Sequence, residues 1–123
     1  DVYANGRDPI VIEPRESAII PTGLKFGIPH GHMLQVMNRS SIAAKRGLMV
    51  GAHVIDSGYD GEVFINLHNV GHSPQMIRYG DKIAQLVMVP VVSFRPNLVQ
   101  SDLYHDAITI SDRGDGALGS TGG

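Results

Sequence analysis

No apolar stretch of this chain runs far before a proline, or a glycine beside a polar residue, stops it. Proline fixes its own backbone angle and has no N–H to donate, so it ends helices and central strands alike. Ile10-Val11-Ile12 ends at Glu13-Pro14, Ser17 to Ile20 ends at Pro21, and the alternating Leu24-Lys25-Phe26-Gly27-Ile28 ends at Pro29. Met33 to Met37 follows at the same spacing. Short apolar runs at close, regular intervals predict strands, and many of them predict a sandwich or barrel. The expected fold is therefore all-β, a jelly-roll-like β-sandwich or barrel.

One segment breaks the rhythm. Ser40-Ser41-Ile42-Ala43-Ala44-Lys45-Arg46 has a hydroxyl residue at its start, two alanines inside and Gly47 at its exit. That is the composition of a single short helix. Asn38-Arg39-Ser40-Ser41 stands at its start, where backbone N–H groups favour an anion. Ser40 is read there either as a simple helix cap or as part of an anion site.

The stretch from Val50 to Glu62 holds the strongest turn signals, Ser57-Gly58 and Asp60-Gly61. Leu48-Met49-Val50 leads in, and Val63, Ile65 and Leu67 alternate with polar residues on the way out. The segment reads as a β-hairpin arm with Asp56 and Tyr59 near its bend. Asp56 has two readings. It caps its own turn backbone, or it is a general base held against a reactive water.

Gln75 to Tyr79 is expected as a further strand, turned by Gly80-Asp81. Lys82 to Val92 is the longest apolar run, with almost no polar face. Such a strand is expected to be buried on both sides, between a sheet and a neighbouring subunit. Gln85 lies within it. A buried amide without partners is costly, so it is expected to bond either core backbone or a ligand near a subunit seam. Beyond Phe94 the pattern weakens, with Leu98-Val99 and Ala107 to Ile110 as candidate short strands.

Five of the twelve residues 112–123 are glycine, and they are expected to form a flexible tail rather than a regular element. Gly114 to Gly119 spells a G-x-G-x-x-G. A dinucleotide fold needs that motif early in a βαβ unit, and no chain follows here to build one. The tail reads either as a plain disordered terminus or as a cover for a polyphosphate, with Arg113, Ser120, Thr121 and bare backbone N–H groups as donors.

With 123 residues the chain is expected to be one domain, residues 1–123, whose size gains from oligomerisation. A net charge of −2 argues against a general grip on nucleic acid or an anionic membrane. The absence of cysteine excludes disulfides and thiolate metal sites. His30-x-His32 lacks companion ligands and reads as turn chemistry rather than a zinc site. No apolar run reaches membrane-spanning length, so the expected setting is the cytoplasm, the host's if the source is viral. The chain does not begin with Met, so a strand preceding Asp1 is expected.

Five stretches, taken together, resemble a known family. They are Asp1-Val2-Tyr3-Ala4; Arg39-Ser40-Ser41; Val50 to Glu62; Gly80-Asp81-Lys82-Ile83-Ala84-Gln85-Leu86-Val87; and Arg113 to Gly122. In this order and spacing they resemble the five motifs of the trimeric dUTP pyrophosphatases, the dUTPases. The resemblance implies a homotrimer with sites shared between subunits, and Mg²⁺-assisted hydrolysis of dUTP to dUMP and pyrophosphate. It implies that Asp56 activates water for attack on the α-phosphorus and that Tyr59 packs on the deoxyribose and leaves no room for a 2′-hydroxyl. The backbone around His53 would read the uracil edge. Ser40, Ser41 and Gln85 would contact phosphates, supported by Arg39, and Asp1 would hold a water of the Mg²⁺ shell. Arg113, Leu118, Gly119, Ser120 and Thr121 would close over the nucleotide from another subunit. The chain departs from the family pattern at Asn38, where Pro is common. It departs again at His53, where Gly is usual and whose side chain is expected to narrow the base pocket. In the tail Ala117-Leu118 replaces Gly-Phe, so an aromatic lid becomes aliphatic.

Two rival readings remain. The Ala52-His53-x-Ile55-Asp56-x-Gly58 stretch also resembles the related dCTP deaminases, but Asn66 stands where they carry a catalytic Glu. The chain also reads as a regulatory or binding trimer with weakened catalysis, which the retained Asp56, Tyr59, Gln85 and Arg113 oppose.

Overall fold

Strands distant in sequence lie side by side in the computed structural model, which describes residues 1–99. Nine strands and one helix follow in the order β1 (Val2–Tyr3), β2 (Ile10–Ile12), β3 (Ser17–Pro21), β4 (His32–Met37), α1 (Ser40–Arg46), β5 (Leu48–Val50), β6 (Val54–Asp56), β7 (Phe64–Asn69), β8 (Gln75–Ile77) and β9 (Lys82–Pro90). They form a four-stranded sheet in the order β1-β9-β4-β6, a three-stranded sheet β3-β7-β5 and a two-stranded pair β2-β8. Every pairing is antiparallel. Such long-range antiparallel pairing is what the jelly-roll reading requires.

Alternation along the strands builds the core. Val63, Ile65 and Leu67 turn inward, as do Leu34 and Val36 of β4 and Ile83 and Ala84 of β9. All of these but Leu34 meet Val2, Ile12, Ile20, Leu48 and Ile77, which are also buried. Burying each of these larger aliphatic side chains stabilises the fold by about 1.5–3 kcal/mol. With few aromatics available, Val, Ile and Leu fill the interior.

The predicted helix forms over Ser40–Arg46, and Gly47 ends it in the left-handed region at φ 65. A side chain there would be doubly opposed, because a Cβ on Gly47 would also come within 2.9 Å of the Gly71 backbone. The N-cap is Arg39 and has no side-chain cap bond. Ser40 is therefore the first helical residue and not the cap.

Two further expectations change. The Leu24–Ile28 stretch forms no strand; Leu24 instead accepts one bond, from the Val63 N–H at 2.8 Å. The arm from Val50 to Glu62 is not a simple hairpin. Its base is one, since β5 pairs with β7. Its tip crosses to the other sheet, where β6 pairs with β4. In the single chain Val87 and Met88 of β9 are each 44% exposed, on a strand expected to meet a neighbouring subunit.

Asp1–Val91 forms one compact unit. Residues 92–99 contain no helix or strand, including the expected one at Leu98-Val99. The Ala107 to Ile110 strand lies outside the described residues. Among those described, no helix is long and apolar enough to cross a membrane.

Candidate active site

Two cavities hold the predicted site residues that fall within the described chain, His53 excepted. The four-stranded sheet explains where each one sits.

The first cavity, of about 530 Å³, is lined by Val54, Ile55, Asp56, Gly58, Tyr59, Val63 and Phe64. Asp56 ends β6, and its backbone carbonyl accepts the Tyr59 N–H at 3.1 Å. That turn puts Tyr59 across the bend from Asp56. The Asp56 carboxylate is exposed and, among the described residues, makes no hydrogen bond or ion pair. The turn-capping reading of this side chain therefore finds no support. Tyr59 donates its hydroxyl proton to the Glu62 carbonyl. Its ring crosses Gly61, where a Cβ would come within 3.0 Å of the ring's Cζ. Glu62 is held in turn, because its carboxylate accepts the Gly23 N–H at 3.0 Å. Thr22, a buried polar residue, donates its hydroxyl to the Val63 carbonyl at 2.6 Å. The walls of this cavity are thus braced from behind by residues 22–24.

The second cavity, of about 420 Å³, is lined by Asp1, Arg39, Ser40, Ser41 and Gln85. Three motifs far apart in sequence converge here because three chain segments end together. Val2 pairs with Ala84, which brings the start of β1 beside Gln85. Gln85 pairs with Met37 at the end of β4, and α1 begins just beyond. Arg39 Nη1 lies 2.6 Å from Asp1 Oδ1, and Lys82 Nζ lies 4.0 Å from the other carboxylate oxygen. The Arg39 Nε is buried without a hydrogen-bond partner. The cavity is polar and cationic and carries one carboxylate.

Gln85 is exposed in the single chain, while its expected burial lies between a sheet and a neighbouring subunit. Its side-chain amide donates to the Asn38 carbonyl at 3.0 Å. Asn38 also accepts the Val50 N–H at 2.7 Å through its side chain. A proline at 38 has no side-chain acceptor for that bond.

His53 does not line the first cavity. Its backbone carbonyl accepts the Val36 N–H at 2.7 Å, and its Nδ1 lies 3.4 Å from the Val36 carbonyl. The ring faces β4. Arg113, Leu118, Gly119, Ser120 and Thr121 lie outside the described residues. Sequence reasoning missed Val54, Ile55, Val63 and Phe64 as cavity walls. The alternation on β7 marks Phe64 as outward-facing and was the available signal.

A single carboxylate in a polar pocket suits Mg²⁺ when a substrate brings its own oxygens. That ion keeps several waters and is held by one or two carboxylates plus phosphate groups. Among the described residues no group of three or more His, Cys, Asp or Glu could hold a metal by itself.

A family model for dUTPase matches residues 1–122. The deoxyuridine 5′-triphosphate nucleotidohydrolase of Chlamydia muridarum is 40% identical over 126 residues, covering 99% of this chain and 82% of that protein. The protein of the same name from Ehrlichia canis is 40% identical over 124 residues, covering 99% and 78%. Among solved structures, the dUTPase of Staphylococcus bacteriophage 80alpha superposes with a TM-score of 0.72 at 26% identity, covering 82% of this chain and 81% of that one. The EIAV dUTPase gives 0.68 at 30% identity, covering 83% and 86%.

Proposed function

The chain belongs to the dUTPase family, and from that premise we propose how its residues divide the work of hydrolysing dUTP to dUMP and pyrophosphate. The activity is dUTP nucleotidohydrolase. The observation that carries the division of labour is the split between the two cavities, one holding Asp56 and Tyr59 and the other holding Asp1, Arg39, Ser40, Ser41 and Gln85.

The first cavity takes the nucleoside. Tyr59, tied at its hydroxyl to the Glu62 carbonyl, presents its ring to the deoxyribose and excludes a 2′-hydroxyl. The cavity's backbone edge reads the uracil. The second cavity takes the phosphates. Arg39, Ser40, Ser41 and Gln85 supply donors. Bound Mg²⁺, held through water by Asp1 and directly by the triphosphate, would neutralise charge as the leaving group departs. A solved structure of the phage phi11 dUTPase is described by its coordination of a structural Mg(II) ion.

Asp56 accepts a proton from a water as that oxygen bonds to the α-phosphorus. The bond from that phosphorus to the bridging oxygen breaks, and its electrons leave with pyrophosphate. An exposed carboxylate without a partner is suited to receive such a proton. The remainder of the catalysis is positioning and charge neutralisation.

The two cavities lie toward opposite ends of one sheet, so a complete site joins the first cavity of one copy to the second cavity of another. A threefold homotrimer closes such head-to-tail contacts into a ring. The exposed Val87 and Met88 of β9 support an interface along that strand. The tail residues Arg113, Leu118, Gly119, Ser120 and Thr121 then cover the nucleotide, and the enzyme works in the cytoplasm.

A deaminase reading finds little to support it. The Asn66 amide donates to the Ala18 carbonyl, and its oxygen pairs with His68 at 2.9 Å. The deciding experiment follows Mg²⁺-dependent release of pyrophosphate from dUTP beside ammonia release from dCTP. Pyrophosphate without ammonia supports the reading, and ammonia from dCTP rejects it.

A further inference from the structure

One wall of the nucleoside cavity has no task in the reaction described above. Phe64 begins β7, and its neighbours Val63 and Ile65 are 2% and 1% exposed. Alternation therefore turns Phe64 outward, where it is 49% exposed. The two residues that follow it on that outer face, Asn66 and His68, bond to each other. Phe64 has no such partner. It lies directly opposite Pro21 on β3, within side-chain reach, and lines the cavity with Tyr59.

The backbone beneath it is fixed. Val63 receives two bonds on its carbonyl, from the Thr22 N–H and the Thr22 hydroxyl, and donates its own N–H to the Leu24 carbonyl. A half-exposed aromatic on a backbone held this firmly is a prepared surface, not a loose side chain.

We propose that Phe64 is the aromatic wall against which the pyrimidine ring of the substrate rests. This rests on the assignment of the Asp56–Tyr59 cavity to the nucleoside. Tyr59 is committed to the sugar by that assignment, and its ring is tied down over Gly61. Phe64 is the other aromatic side chain lining the cavity. Every base has a π-face, so this contact adds affinity without telling uracil from cytosine.

The test uses the full chain and three variants. Phe64→Leu keeps apolar bulk and removes the ring. Its KM for dUTP and its Kd for dUMP by calorimetry are expected to rise about tenfold. Its kcat, its dUTP-to-dCTP preference and its sedimentation are expected to stay as in the unaltered protein. Phe64→Tyr is expected to restore tight binding. The chain has no tryptophan, so Phe64→Trp introduces a single fluorophore, which saturating dUMP is expected to quench. Unchanged KM and Kd in Phe64→Leu, or fluorescence of Phe64→Trp that ignores dUMP, overturns the proposal. If Phe64→Leu fails to assemble, the quenching experiment decides alone. An unaltered protein that turns over dUTP but whose Phe64 variants are silent loses only this inference. One that does not turn over dUTP loses the nucleoside site as well.

Discussion

Asp56 and Gln85 flank the same strand at different levels, Asp56 opposite Met33 and Gln85 opposite Met37 of β4. Four residues along a strand and two strand spacings across it separate their Cα atoms by about 16 Å. A base must come within about 3 Å of the water it activates, so residues this far apart serve one phosphorus more readily from two copies. Each of Asp56→Asn and Gln85→Ala alone is expected to give a weak trimer. Unfolding and refolding an equal mixture is expected to recover about a quarter of the unaltered activity, because that share of sites draws both intact residues from different copies. Activity no higher than the average of the two variants would place both residues in one subunit's site.

Asp56→Asn removes the proton acceptor while keeping the shape. The carboxylate bears on no neighbour among the described residues, so stability is expected to be unchanged. Loss of a general base costs about 10²–10⁴-fold in kcat. Steady-state kinetics with a parallel thermal melt checks both halves. A variant with full kcat leaves the water without its base.

Tyr59 is expected to act through its ring more than its hydroxyl. Tyr59→Phe loses the bond to the Glu62 carbonyl, a net interaction of about 1 kcal/mol, and keeps the ring over Gly61. Its dUTP kinetics are expected to change little. Tyr59→Ala opens the space beside the sugar, so UTP turnover relative to dUTP is expected to rise. Equal rejection of UTP by Tyr59→Ala would move sugar selection elsewhere.

Much of this layout was legible in the chain itself, and the exceptions have physical causes. The helix over Ser40–Arg46 is readable because Ala43, Ala44 and the exit Gly47 are local signals. The strands of Val63, Ile65 and Leu67 are readable because alternation is local as well. Partner choice is not local. Nothing in Val54-Ile55-Asp56 says that it pairs with β4 rather than with the strand after its own turn. Leu24 to Ile28 alternates like a strand, yet its single bond from Val63 makes it a brace behind the cavity. Val87 and Met88, close to Gln85, mark a face that one copy leaves open. The convergence of Asp1, Arg39 and Gln85 comes from the register of β1, β9 and β4, which residue types alone do not specify.

The Asp1–Arg39 pair predicts how the metal dependence responds to mutation. Asp1 has its carboxylate 2.6 Å from the Arg39 guanidinium and is partly exposed, so the pair is a modest contributor to folding. Asp1→Asn is therefore expected to leave the melting temperature nearly unchanged. It removes the carboxylate proposed to hold a water of Mg²⁺, and the Mg²⁺ concentration for half-maximal rate is expected to rise. The same change frees the Arg39 guanidinium from its internal anion. Binding of dUTP measured in chelator, with no divalent ion present, is then expected to strengthen rather than weaken. The two shifts run in opposite directions, which a general loss of structure does not produce. Weaker binding in chelator would mean that Asp1 holds Arg39 in place for the phosphates, and that its role is orientation instead of competition.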